Sequence, residues 1–260
     1  MIDQNLFVSD CDAIRRQRPM VLCITNYVAM NLSANALLAV GASPLMSFFP
    51  DEMEELVSAC DALCVNIGCL DSQQMDAMHR AVAAAKRYRK PWVLDPVGVG
   101  ASRVRQAICG ELMQIHAPAV IRGNAAEVSV LASLGQATEG EAFAGLESFD
   151  DTGQRVTVAQ RLSQECGSVV VVSGAVDQVV LENRVQGIAH GTPLMAKVTA
   201  MGCTASAMVA AYCAVQKDAF VAAQHAMLRM GLAGESAAQQ AGGPGTFVPR
   251  FLDCLSSSEM

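Results

Sequence analysis

The stretch Met195-Ala196-Lys197-Val198-Thr199-Ala200-Met201-Gly202-Cys203-Thr204 leads a β-branched segment into a glycine-containing turn, and small apolar residues continue to Val215. That order predicts an extended segment, a tight turn and a buried helix. Such a junction points several backbone N–H groups at one spot, with the positive end of the helix macrodipole behind them, so it can hold an anion. Cys203 falls on the first helical turn, where a thiolate is electrostatically favoured. The same residues equally suit a buried helix start, because glycine permits close approach and cysteine is a common core residue.

Four other places could do chemistry. The run Pro91-Trp92-Val93-Leu94-Asp95 delivers a carboxylate at a strand end, where it can support a divalent cation or a basic partner, or cap the following turn. Arg122 stands just before a predicted helix start, and a guanidinium there suits a phosphate. Asn124 and Glu127 have the spacing of a capping box, which by itself accounts for both. Asn26 and Ser173 each follow an apolar strand candidate, the position where ligands gather in α/β sheets; an Asn capping its own turn reads the same way. Met46 lines an apolar pocket or fills the core, and one methionine does not decide between them.

The elements that must position these residues alternate. Apolar runs at 21–24, 63–68, 92–95, 119–121 and 168–173 predict strands, and helical patterns cover 5–18, 32–40, 72–89, 103–114, 152–166, 203–215 and 218–240. Arg18-Pro19 closes the first helix and Gly41 the second. Residues 41–46 lead into a turn, 132–151 read as an irregular surface insertion, 178–181 with 184–188 as a hairpin, and 242–250 as a loop before a final turn. Five or six strands separated by helices predict one α/β layer sandwich with a mostly parallel sheet, and no linker divides residues 1–260. The candidates then share one sheet edge. Neither a G-x-G-x-x-G nor a G-x-x-x-x-G-K-[ST] loop is present.

Composition narrows the classes. The chain is 52% hydrophobic and 17% charged, too apolar for disorder, yet its apolar runs are short, so no membrane span is expected. A net charge of -7 argues against a nucleic-acid partner. The basic run Lys86-Arg87-Tyr88-Arg89-Lys90 ends a predicted helix, and cations favour that terminus without any partner. The N-terminus shows no secretory signal, and the ten cysteines lie scattered in apolar runs without metal spacing, as expected of reduced thiols in a cytoplasmic protein.

With these residues in hand, the chain resembles hydroxyethylthiazole kinases, members of the ribokinase-like superfamily. The resemblance spans nearly the whole chain and rests on Thr25-Asn26-Tyr27-Val28, the stretch from Asn35 to Pro44, Asp95-Pro96-Val97-Gly98-Val99-Gly100-Ala101, Arg122-Gly123-Asn124-Ala125-Ala126-Glu127 and Gly243-Pro244-Gly245-Thr246-Phe247. It implies a ribokinase-like layer sandwich forming a single kinase domain. It implies phosphorylation of the primary alcohol of 4-methyl-5-(2-hydroxyethyl)thiazole by ATP with Mg2+, in thiamine salvage, by a homotrimer whose thiazole sites lie between subunits. By the same resemblance Asn26, Met46 and Ala200 contact the thiazole, Arg122, Ser173 and Gly202 contact ATP, and Asp95 and Glu127 support the magnesium and phosphate region. Cys203 takes the place where many superfamily kinases carry a catalytic Asp.

One departure stands out. Relatives commonly read Gly-(Thr or Ala)-Gly-Cys at the anion-binding turn, where this chain has Ala200-Met201-Gly202-Cys203. A positive φ at that position costs alanine backbone energy. Rival readings are another superfamily enzyme, such as a hydroxymethylpyrimidine kinase or an ATP-dependent nucleotide-repair dehydratase, and a thiazole- or nucleotide-binding protein without turnover.

Overall fold

The computed structural model describes residues 2–134 and 152–257. All but three residues of the expected surface insertion at 132–151 lie outside the described residues. In chain order the strands are β1 (Met20–Ile24), β2 (Ser43–Met46), β3 (Ala62–Asn66), β4 (Trp92–Asp95), β5 (Val120–Asn124), β6 (Val169–Ser173), β7 (Asp177–Leu181) and β8 (Arg184–Ile188). The helices are α1 (Gln4–Gln17), α2 (Met30–Val40), α3 (Met53–Ala59), α4 (Ser72–Tyr88), α5 (Arg103–Ile115), α6 (Ala125–Ser133), α7 (Thr152–Cys166), α8 (Met201–Val215), α9 (Ala219–Gln240) and α10 (Pro244–Ser256).

These strands form one sheet in the order β2-β1-β3-β4-β5-β6-β7-β8. Pairing is parallel from β2 to β6, and β7 and β8 add antiparallel as the expected hairpin. The central strands are apolar on both faces because helices cover both. Leu22, Leu63, Leu94, Ile121 and Val170 pack into one core with α3 to α7. Their neighbours Val21, Cys64, Val93, Val120 and Val171 pack into the other with α1, α2, α8, α9 and α10. Most of α8 is buried, between the sheet and its neighbours α2 and α9, which is why its sequence is apolar all round.

Two expectations need correction. Residues 43–46 form an edge strand, not merely the lead into a turn: Ser43 to Met46 pair in parallel with Met20 to Cys23, and an edge tolerates Pro44 because only one side must be hydrogen-bonded. The tail after Gly243 is helical rather than a loop. Pro244 sits at the first helical position, where its fixed φ favours the start, and Phe247, Phe251 and Leu255 recur every four residues as a buried stripe. That burial outweighs the interruption by Pro249 within the helix.

Candidate active site

Strand register assembles the site. Asn66 stands opposite Asp95, Asn124 opposite Ser173 and Met46 opposite Cys23, and all but Cys23, one residue short, end their strands at one carboxyl edge. Asn26 follows β1 by two residues. Its Oδ1 accepts from the Ala29 backbone N–H at 3.0 Å, so it does cap its own turn. Its Nδ2 is left to face the site.

From there a hydrogen-bonded chain crosses three strand ends. Asn26 Nδ2 donates to Cys203 Sγ at 3.3 Å and to Asn66 Oδ1 at 3.0 Å. Asn66 Nδ2 in turn donates to Asp95 Oδ2 at 2.6 Å. Gly68 N–H also donates to Asn66 Oδ1, at 2.9 Å, and a β-carbon on Gly68 would lie 2.8 Å from both Asn26 Nδ2 and Asn66 Oδ1. Glycine there lets the two amides meet.

Asp95 is fully buried, and its second oxygen, Oδ1, has no hydrogen-bond partner among the described residues. Burial pushes its carboxyl up to about 6; Glu127 adds to the rise, while Arg122 and the polar groups of Ser206 and Asn66 oppose it. Cys203 is raised above the usual thiol value, first by burial and then by Asp95, with the Asn26 and Asn66 amides and Arg122 pulling the other way. A helix start favours a thiolate, whereas burial and the neighbouring carboxylate favour the thiol.

Arg122, on β5, reaches Ser173 Oγ with one guanidinium nitrogen, while its buried Nε has no hydrogen-bond partner among the described residues. The guanidinium lies over Gly202 in the first turn of α8. Asn124 and Glu127 form the expected capping box, with backbone-to-side-chain bonds of 2.9 Å in both directions. Glu127 Oε1 also accepts from Gly98 N–H at 3.0 Å, which ties the loop after β4 to α6. Ala200 precedes α8 at φ 70° and ψ -3°, in the left-handed region, and lends no side-chain cap.

Asn26, Asp95 and Cys203 thus belong to one hydrogen-bonded cluster, and Arg122, Ser173 and Gly202 to an adjoining one. Met46 is half-buried at the edge-strand end, and Glu127 closes the far side. Sequence reasoning missed Asn66, although it ends an apolar strand just as Asn26 does. It also missed Arg105, whose guanidinium binds the carbonyls of Ile67, of Val97 at 2.9 Å and of Gly68 at 3.0 Å, fixing two site loops. A cation inside an amphipathic helix carries no local signal of that task. Among the described residues no group of three or more His, Cys, Asp or Glu comes together to hold a metal ion.

A mostly parallel sheet covered by helices on both faces, with the start of α8, the Arg122 guanidinium and the buried Asp95 carboxylate gathered at its carboxyl edge, is an α/β protein of ribokinase-like fold. A ribokinase-like superfamily protein from Enterococcus faecalis shares that fold at TM-score 0.65 and 13% identity, covering 99% of this chain and 91% of that one. The profile of the hydroxyethylthiazole kinase family matches residues 11–259, and the chain belongs to that family. It is 43% identical over 249 residues to the hydroxyethylthiazole kinase of Leptospira biflexa, covering 95% of this chain and 91% of that protein. With the Escherichia coli enzyme of the same name it shares 43% identity over 240 residues, covering 92% and 89%. The structure of the hydroxyethylthiazole kinase protein from Pyrococcus horikoshii superposes at TM-score 0.88 with 34% identity, covering 97% and 93%.

Proposed function

We propose that this chain transfers the terminal phosphoryl group of ATP to the primary hydroxyl of 4-methyl-5-(2-hydroxyethyl)thiazole, in thiamine salvage. The observation that carries this reading is the convergence of Cys203, Asn26 and Asp95 with Arg122 and Gly202 around the opening of α8. Phosphoryl transfer asks mainly for alignment and charge neutralisation, and these residues supply both.

The donor set fits a nucleotide and a divalent cation. Arg122 holds a buried Nε, without a hydrogen-bond partner among the described residues, beside the bare first turn of α8, which suits phosphate oxygens. Asp95 Oδ1 is a buried carboxylate oxygen without a hydrogen-bond partner among the described residues, whereas both Glu127 oxygens already accept backbone N–H groups. Asp95 would therefore be the principal support of a Mg2+ ion, with Glu127 reaching it through water. Bound there, Mg2+ neutralises charge on the phosphate oxygens. Cys203 and Asn26 orient the alcohol, and Met46 supplies an apolar wall for the thiazole.

The exposed apolar residues Tyr27, Val28 and Phe49 lie in sequence beside Asn26 and Met46. They support a homotrimer in which a neighbouring subunit covers the thiazole site. One sheet running through both cores supports a single kinase domain over residues 1–260. Ten free cysteines suit a cytoplasmic enzyme. Among the described residues no helix is long and apolar enough to cross a membrane.

Magnesium-dependent ADP formation by the purified chain, with ATP and the thiazole alcohol against a no-alcohol control, tests the reading. Alcohol-dependent ADP with phosphorylated thiazole is expected. Thiazole binding without turnover would overturn it in favour of a binding protein.

A further inference from the structure

The pole opposite the active site carries a second concentration of charge. A cleft of about 450 Å³ opens there among the starts of β4 and β5 and the ends of α4, α5 and α8. Lys86, Arg89 and Lys90 line it from the end of α4, His116 follows α5, and Lys217 follows α8. The floor is apolar, with Pro91 and Cys213 among its residues. Among the described residues no acidic side chain lines it.

Three helix C-termini and the start of α9, at Ala219, meet there, and together they contribute about -1 elementary charge, which does not balance four permanent cations. Glu54 and Asp218 are paired with other cations, while Asp61 keeps its charge. Glu54 takes Arg87 and Tyr88, the other two polar members of the basic run. Asp218 pairs with Arg184 and caps α9, and Asp61 accepts from Met20 N–H. Among the described residues no ion pair engages Lys86, Arg89, Lys90 or Lys217. Like charges gathered from separate helices, in a protein of net charge -7, call for a counter-anion. The volume lies in the range of small-ligand sites and exceeds what one phosphate needs.

We propose that this cleft is a binding site for a diphosphate group, presented either as free pyrophosphate or as the diphosphate of a nucleotide. Arg89 supplies a planar fork for two phosphate oxygens, and the lysines act as point charges around the rest. The apolar floor gives room for a base.

His116 reports occupancy directly. Burial and the neighbouring Lys86 hold its pKa below the usual histidine value, and an anion in the cleft reverses the second effect. The experiment follows the four histidines by NMR titration in the full chain, at constant ionic strength without divalent cation, with pyrophosphate, ADP or sulfate. Pyrophosphate is expected to raise the His116 pKa by about half a unit or more, and sulfate is not. A matching shift with ADP would identify a nucleotide site, and no shift with ADP a site for the free anion. Calorimetry should show the Lys86→Gln/Lys217→Gln variant losing about ten-fold or more in pyrophosphate affinity at one site while binding at the α8 helix start persists. An unmoved His116, an equal shift with sulfate, or an unchanged variant would each overturn the proposal.

Discussion

The guanidinium of Arg122 packs so closely on Gly202 that a β-carbon at residue 202 would stand 2.6 Å from Nη1. The cation and the helix opening therefore occupy one contiguous space, the arrangement an anion needs. Gly202→Ala would push aside the flexible end of the arginine rather than the backbone, breaking its contact with Ser173. We expect stability to change by less than about 1 kcal/mol and the KM for ATP to rise about ten-fold, with the thiazole KM little changed. Steady-state kinetics on both substrates check this. An unchanged ATP KM would show that Arg122 does not meet the nucleotide.

Ala200 sits at φ 70° immediately before that helix. An L-residue there carries about 1 kcal/mol of left-handed strain. Ala200→Gly removes the strain but adds unfolded-state entropy, so the net gain should be under about 1 kcal/mol. Ala200→Val, branched at the β-carbon, should lose about 2 kcal/mol or more relative to Ala200→Gly. Chemical denaturation of the three chains measures the gap; a valine variant as stable as the glycine variant would mean the turn is not constrained.

Much of this was legible because buried parallel strands write themselves as short apolar runs, and each run ends where the sheet edge begins. Val93-Leu94-Asp95 could be read that way without any partner in view. Strand β2 could not, since its residues are all only partly buried and Pro44 looks like punctuation. Asn66 carried the same signal as Asn26 but lacked a motif around it, and its value depends on contacts with residues 40 positions before and 29 after it in the chain. The protonation of Cys203 was not legible for a related reason. Helix position is local and visible, whereas burial and the approach of Asp95 come only from folding.

Asp95 couples site chemistry to stability. Its carboxyl titrates near 6 in the fold, above the ordinary value of 3.8, so the ionised form is penalised. Stability from this group is therefore full below about pH 4 and lost as pH rises through about 6. Asp95→Asn should stabilise the metal-free chain above pH 6 by up to about 3 kcal/mol, with the advantage vanishing near pH 4, while turnover falls. Thermal unfolding at pH 4 and pH 8 distinguishes this from a pH-independent effect, which would exclude a buried charge as the cause.

Cys203 is a thiol at neutral pH, because burial and Asp95 raise its pKa by more than the donating Asn26 and Asn66 amides and Arg122 lower it. A loose phosphoryl-transfer transition state places little demand on a strong base, which accords with the proposed task of orienting the alcohol. Cys203→Ser keeps a polar atom at that place and should retain turnover within about ten-fold of the parent, with the same acid limb in its pH profile. An obligatory thiolate would behave differently: the parent kcat would climb as the thiol ionised, and the serine variant would lose all turnover while still binding ATP and thiazole. Measuring kcat against pH for both chains, beside the two binding affinities, separates positioning from base catalysis.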